Sequence, residues 1–465
     1  MNKGIKVKDI IKICNGKLVS GDENTIITSF ERNTKNIKQG DLYIGFKGEV
    51  RDGGIFWEEA IKNGAIGSII NNIEIDKEKI KKYSDKVLII VEDTVKAIQQ
   101  IALYKRNLYD IPVIAITGSV GKTSTKDIIA SVVNQKYKTL KTEGNLNNHI
   151  GLPITVLKLE EHQAMVVEMG MNHFGEIDEL TKIAKPTVAV ITNIGTSHIG
   201  NLGSRENILK AKLEILNGLQ KEGKIIINND NDLLNRWAEE NKDKYKIITY
   251  GIKNKSDFMA YNIKQEENYS TYNIRINNDE YKVKVPVGGL HFVYNSLSAI
   301  AVGNTLNIKP VEMLGGIEKF ELTKNRMDII KTDNNITIIN DTYNASYDSM
   351  KAAIEYLGKQ QYKRKIAVLG DMLELGEFSK EMHEKVGEEI YKNNINFLLT
   401  VGEHSENIAK KAKEEGLKEE NIFVCKTNNE AINILKKLLK SSDIVLIKAS
   451  NSMRLGEIVE GIKNV

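Results

Sequence analysis

Residues 111–133 read as a strand, a glycine turn and a helix with no spacer between them. Ile111–Thr117 is a compact β-rich run, Gly118-Ser119-Val120-Gly121 follows, and Ser124–Val133 carries a helical pattern. A chain passes from strand to helix this abruptly where glycines free the backbone, and the unit belongs to a mostly parallel sheet covered by helices. Strand-like runs recur at Ala164–Glu168, Val188–Thr192, Lys224–Ile227 and Lys246–Tyr250, with helices between several of them. Around 257–287 the pattern changes to period two, with Tyr272, Ile274 and Ile276, then Tyr281, Val283 and Val285, as in an antiparallel insert or edge. Helical patterns follow at Tyr294–Thr305 and Pro310–Lys319, and a second βα series begins near Arg326. Its runs are Ile336–Asn340, Ser349–Leu357, Lys365–Leu369, Glu381–Lys392, Phe397–Val401, Asn429–Leu439 and Asp443–Lys448. Ahead of both series, residues 1–84 mix short strands (Leu42–Phe46, Ala65–Ile70) with one helical stretch, Phe56–Asn63; Lys86–Val91 and Thr94–Leu108 then read as strand and helix.

The 465 residues ask for about three domains of ~150 residues each. The expected α/β architecture is a small N-terminal domain (1–108), a central parallel-sheet domain (109–324) and a C-terminal Rossmann-like domain (325–465). The 66 basic and 62 acidic side chains nearly cancel to a formal charge of +4, which argues against a nucleic-acid coat or a binder of membrane surfaces. Cys14 and Cys425 form neither a metal-spaced pair nor a disulfide framework, so a reducing cytoplasm is the expected compartment. No apolar stretch follows the N-terminal charges as in a signal peptide, and no run approaches the ~18 apolar residues that cross a bilayer.

The turn Thr117-Gly118-Ser119-Val120-Gly121-Lys122-Thr123 stands where backbone N–H groups and a helix N-terminus cradle phosphates. Lys122 can neutralise β/γ charge and the Thr123 hydroxyl can ligate Mg²⁺. Ile116 replaces the first glycine of the full Walker pattern, so the string by itself is shorter than that motif.

Three further residues are candidates on position alone. Glu168 closes a strand at the sheet edge, where a Mg²⁺-bound nucleotide is met, although acidic residues at strand ends are common. His198 ends the loop Asn193-Ile194-Gly195-Thr196-Ser197 after the run Val188–Thr192, as a site group or as a solvated loop histidine. On a helical wheel with Ile208 at zero, Lys212 falls near about 40°, inside the arc of Ile215, Leu216, Leu209 and Leu213, while Lys210 points the other way. Either Lys212 is desolvated, with a free amine open to an electrophile such as CO₂, or its stem packs and its ammonium snorkels to water.

Taken with several other stretches, these residues resemble the Mur ligases, the ATP-dependent amide ligases of peptidoglycan precursor synthesis. The family's loop matches Thr117–Thr123, and T-x-G-N-x-N-N matches Thr142–Asn148. Its E-x-G-x-N-x-x-G-E-I matches Glu168–Ile177, T-N-I-G-x-x-H matches Thr192–His198, and A-K-x-E-I matches Ala211–Ile215. Later motifs match His291–Ala299, Asn325-Arg326-Met327, Asp341–Ala345 with Asp348-Ser349-Met350, and Gly370–Gly376 with His383 beyond. The resemblance implies a P-loop ATPase core, a nucleotide-sugar domain before it and a closing ligase domain after it. It further implies the joining of D-alanyl-D-alanine to UDP-MurNAc-tripeptide through an acyl phosphate, by a monomer that uses ATP and Mg²⁺ and contacts neither nucleic acid nor membrane.

The residue roles implied by the resemblance are as follows. Lys122, Lys212 and His198 are catalytic, with Lys212 carbamylated. Gly118, Ser119, Val120, Gly121, Lys122, Thr123, Ser124, Asn295, Arg326 and Asp341 hold ATP. Thr123, Glu168, His198 and Lys212 hold metal. Thr34, Lys35, Asn147, Asn148, Tyr343, Asn344, Asp371, Glu374, Lys448 and Ser450 meet substrate. The chain departs from the family at Asn33-Thr34-Lys35, Asp52-Gly53-Gly54 and Lys448-Ala449-Ser450-Asn451, where an arginine or histidine of the pattern is absent. Those departures touch the choice of carboxylate and amine more than the chemistry, so a ligase for another substrate pair is the nearest alternative. A P-loop kinase or GTPase would have no use for the motifs of the third domain.

Overall fold

The computed structural model of the chain describes residues 3–464. Seven parallel strands form the central sheet, in the order Phe258–Met259, Lys246–Gly251, Lys224–Asn228, Val188–Ile191, Val113–Thr117, Ala164–Glu168, Thr139–Lys141. The middle strands are unbroken apolar runs because helices cover both faces, and every residue of Val113–Thr117 and Ala164–Glu168 is buried. From Val113–Thr117 the chain runs to one edge, returns through Ala164–Glu168 and then crosses to Val188–Ile191 on the other side. Strand order thus reverses around Val113–Thr117, and the crevice at the carboxyl ends of these three strands is where such a sheet receives a ligand.

The alternation at 257–287 resolves into a separate antiparallel sheet of Tyr261–Gln265, Ser270–Ile276 and Asp279–Val285. Its apolar face, Tyr272, Ile274 and Ile276, is buried beside the helix Leu290–Thr305, where the Tyr272 and Ser296 hydroxyls lie 2.8 Å apart. That helix starts four residues before the sequence pattern suggests. The helix expected from Ser124 likewise spans Lys122–Val133, because Gly121 at φ +82° makes the turn by itself.

In the C-terminal part, five parallel strands and one antiparallel edge strand run in the order Asp328–Lys331, Thr337–Asn340, Ile444–Lys448, Lys365–Gly370, Phe397–Val401, Ile422–Cys425. Alternate residues of one strand enter two different cores. Ile339, Leu446 and Leu398 join the core shared with the central sheet, whereas Ile338, Ile447 and Leu399 pack with Leu435, Leu455 and Ile458 on the far face. Near the N-terminus, Lys17–Ser20, Val87–Val91, Gly67–Asn71, Leu42–Gly45 and Phe30–Glu31 form a five-stranded mixed sheet. The helix Thr94–Asn107 starts on the Asp93 carboxylate, which accepts from the N–H groups of Val95 and Lys96. It packs both on Val7–Cys14 and on the central helices Gly151–Leu157 and Glu176–Ala184. Arg106 fastens it there, donating from Nε to the Ala184 carbonyl at 2.7 Å and from Nη1 to that of Tyr109 at 2.6 Å. Among the described residues no helix is long and apolar enough to cross a membrane.

Candidate active site

The carboxyl ends of the central and C-terminal sheets face each other across a cleft of about 700 Å³. Its floor is the glycine loop, and two glycines there are required by geometry. Gly118 has φ +152°, and a Cβ on it would stand 1.9 Å from Thr192 Oγ1; Gly121, at φ +82°, faces the Asn295 amide. The loop's shape is set from the neighbouring strand end. The Ser119 and Val120 N–H groups donate to the Asn193 carbonyl (3.0 Å) and Oδ1 (2.9 Å), and Thr192 Oγ1 donates to the Val120 carbonyl at 2.8 Å. Those contacts spare the first turn of Lys122–Val133, which has no side-chain cap, so its N–H groups remain to meet an anion. Lys122 curls back and donates to the Gly118 carbonyl at 2.9 Å. Burial first, and then Arg326, pulls its ammonium below the ordinary lysine value, against Glu168 and Glu374. Asn295 is buried with its Nδ2 unbonded by protein, an orphaned donor beside the loop that a bound nucleotide would satisfy.

Glu168 is buried at its strand end and accepts from Thr123 Oγ1 at 2.7 Å and from Asn147 Nδ2 at 2.8 Å. Among the described residues no three His, Cys, Asp or Glu side chains form a ready-made metal cage. Mg²⁺ does not need one, since it is held by one or two carboxylates together with substrate phosphates and water, and the Thr123–Glu168 pair fits that chemistry.

His198 sits at φ +64° with Nδ1 2.8 Å from Glu374 Oε2, a contact between the two halves of the cleft. Burial, ahead of Lys122 and Lys212, pulls the imidazole below its ordinary value, while Glu374 acts the other way. Lys212 takes the buried alternative. It is 1% exposed behind the cleft wall, whereas Lys210 faces solvent. Burial first, and the Lys122 charge second, holds its amine well below the ordinary lysine value.

From the C-terminal side, Arg326 donates from Nη2 to Thr123 Oγ1 at 2.8 Å, and its guanidinium lies 3.8 Å over the Tyr343 ring. Lys448, 3% exposed, binds Asp341 Oδ2 at 2.6 Å and the Asn344 carbonyl at 2.9 Å. Asn451, where the family pattern has arginine, donates instead to the Tyr343 carbonyl at 3.0 Å. Asp348 closes the wall by accepting from the Thr196 N–H and hydroxyl at 2.7 and 2.9 Å.

Some of the expected residues have other tasks. Asp371 is buried off the cleft, where its carboxylate accepts from the Ser405 N–H at 2.7 Å and the Glu403 N–H at 3.2 Å. Asn148 and Ser450 do line the cleft, and there Asn148 Oδ1 also accepts from the Gly151 N–H at 2.9 Å and Ser450 Oγ from the Leu373 N–H at 2.9 Å. Thr34 and Lys35, in the N-terminal sheet unit, are not among the residues that line the cleft, and Thr34 Oγ1 donates to Glu59 Oε1 at 2.8 Å. Sequence reasoning missed Asn193 as the residue that shapes the loop. The signal was its place directly after a strand neighbouring the loop's own.

A phosphate loop at the switch point of one parallel sheet, closed over by the carboxyl ends of a second, defines a nucleotide-dependent ligase. The chain belongs to the Mur ligase family: the Mur ligase middle domain matches residues 116–303, and the Mur ligase, glutamate ligase domain matches 325–451. It is 37% identical to the UDP-N-acetylmuramoyl-tripeptide–D-alanyl-D-alanine ligase of Bacillus subtilis, over 98% of each chain. Its fold superposes on a crystal structure of MurF from Acinetobacter baumannii with a TM-score of 0.88 at 29% identity, over 99% of each chain. The MurF ligase of Thermotoga maritima in complex with ADP superposes with a TM-score of 0.80 at 27% identity, over 94% of this chain and 97% of that one.

Proposed function

We propose that this chain joins D-alanyl-D-alanine to UDP-MurNAc-tripeptide at the expense of ATP, in the cytoplasm, as a step of peptidoglycan precursor synthesis. The observation that carries the reading is the meeting of Lys122, Thr123 and Glu168 with Arg326 and Lys448 across one cleft. That arrangement can hold a triphosphate on one side and an acyl acceptor on the other. In this reading residues 1–108 bind the nucleotide sugar, 109–324 bind ATP and 325–465 bring the amine.

A free carboxylate does not react with amines, so one of its oxygens first takes the γ-phosphoryl group of ATP, and ADP is released. The amine of D-alanyl-D-alanine then attacks the acyl carbon and gives up a proton, the C–N bond forms as the acyl C–O bond breaks, and inorganic phosphate leaves. Catalysis is chiefly positioning and charge neutralisation. The first-turn N–H groups of Lys122–Val133 and the Lys122 ammonium cradle the β and γ phosphates, Asn295 meets the nucleoside end, and Arg326 covers the phosphates from the far domain. Thr123, Glu168 and His198 are the residues that would hold Mg²⁺, which when bound screens charge between the phosphate oxygens and the carboxylate. Lys212 has the buried, proton-poor amine that carbamylation requires, and the modified side chain would offer an anion for a second Mg²⁺.

The test incubates the purified chain with Mg-ATP and UDP-MurNAc-tripeptide, with and without D-alanyl-D-alanine, and reads phosphate release and product mass. Release that needs both substrates, with a pentapeptide product, is expected. ATP turnover with some other amine and no pentapeptide would overturn the reading.

A further inference from the structure

One turn below Thr123 on the loop helix is Asp127, 2% exposed as a residue and not among those that line the cleft. Its Oδ1 binds the ammonium groups of Lys126 at 3.0 Å and Lys141 at 2.9 Å. Its Oδ2 accepts from Thr323 Oγ1 at 2.7 Å, a contact between residues 196 apart in sequence. Burial by itself would raise the Asp127 carboxyl, but Lys126 and Lys141 outweigh it, so the group is held below its ordinary value and accepts as an anion.

Thr323 stands in the segment that leaves the helix Pro310–Glu318 and enters the C-terminal sheet at Asp328. Three residues on is Arg326, bonded to Thr123. The segment is therefore fastened twice to one face of one helix, at positions four apart. One fastening, Arg326 to Thr123, lies where phosphate and metal are expected, and ligands will compete for it. The other, Thr323 to Asp127, is part-buried and joins two residues that do not line the cleft. The same cluster reaches the strand end that carries Glu168: Lys126 Nζ donates to the Thr142 carbonyl at 2.9 Å, and Thr142 Oγ1 accepts from the Glu168 N–H at 3.0 Å.

We propose that Asp127 and Thr323 are positioning residues of the ligase, a fixed clasp that sets how far Arg326 reaches over the phosphate loop. The inference rests on the ATP-dependent reading above. Neither residue touches substrate; each acts through Arg326.

Thr323→Val keeps the shape and deletes the hydroxyl. Loss of one hydrogen bond to a charged group, passed on to Arg326, should raise the KM for ATP roughly 5- to 15-fold. The KM for the UDP-sugar peptide should stay within about twofold, because that substrate is not held through Arg326. Thr323→Ser should restore the wild-type value. In an Arg326→Ala background, Thr323→Val should add nothing further, since the two act in series.

Wild-type ligation is measured first, so failure of the general reading would show there and not in the variants. An unchanged ATP KM in Thr323→Val, or an effect that persists in full when Arg326 is absent, would overturn the clasp. If the valine variant is not recovered folded, Thr323→Ala carries the same expectation and is judged by the same two results.

Discussion

Lys212→Met should raise the stability of this protein while removing its activity. The lysine is 1% exposed, and nothing in its surroundings favours its charge: burial and the nearby Lys122 both oppose it. Methionine has a similar length and flexibility and needs no polar partner. Relief from burying an amine is worth about 1–3 kcal/mol on protein scales. For a unit of about 200 residues that corresponds to an apparent Tm higher by roughly 3–8 °C.

The pH dependence follows from the direction of the shift. Between the depressed value in the folded chain and the ordinary lysine value in the unfolded chain, the unfolded state holds the extra proton. Wild-type stability therefore climbs with pH through that window, by at most about 1.4 kcal/mol per unit. The variant lacks this slope, so its advantage should be largest near neutrality and shrink towards pH 10. Thermal melts of both proteins by circular dichroism from pH 7 to 10, in degassed bicarbonate-free buffer, read the effect, and the coupled phosphate-release assay reads the loss of ligation. A variant that melts lower than wild type, or a gap that stays constant with pH, would show that the amine is charged and partnered in the fold.

Two further outcomes test the local geometry. Gly118→Ala places a methyl 1.9 Å from Thr192 Oγ1 at φ +152°, so the loop must shift; kcat/KM for ATP should fall at least ~100-fold, a cost typical of an ångström-scale misplacement, and near-normal turnover would mean the loop has room. His383 is buried as a neutral ring that accepts the Met372 N–H at Nε2 (3.0 Å) and faces the Ser379 carbonyl from Nδ1 (2.7 Å). Burial lowers its pKa, so stability should be lost as pH falls through and below the ordinary histidine range; His383→Gln should flatten that loss in urea titrations between pH 7 and 5, and an unchanged slope would count against it.

How much of this was legible in the sequence depended on whether the deciding contacts were local. The central strands declare themselves because burial on both faces demands unbroken apolar runs, and Ala164–Glu168 begins and ends where the pattern does. Glu406–Glu415 does not, since only Ile408, Ala409 and Ala412 of its ten residues are buried, too few to draw a stripe. The edge strand Asp328–Lys331 is half-exposed and equally faint. Within the site, the helical wheel placed Lys212 correctly because a helix turns its own side chains by a fixed angle. It could not assign Asp371, because an aspartate facing a ligand and one holding the N–H groups of Ser405 and Glu403 have the same letter and the same neighbours in sequence.

The least legible feature is backbone strain at the junction of the two sheets. Fourteen non-glycine residues among those described have positive φ, and eight of them are asparagines, which adopt this region readily. Of the other six, three line the cleft: His198 at +64°, Met327 at +54° and Glu374 at +63°. Each such residue costs about 1–3 kcal/mol and persists only where its surroundings over-determine it. Here those surroundings are the contacts that cross the cleft, His198 with Glu374, Asp348 with Thr196 and Arg326 with Thr123. No residue's own preference would produce these angles, and no single strand or helix contains both partners of any of the three contacts. The closed cleft is thus a property of the two sheets together, in which the strain that aims His198, Met327 and Glu374 is held by the same contacts that bring the phosphate loop under Arg326.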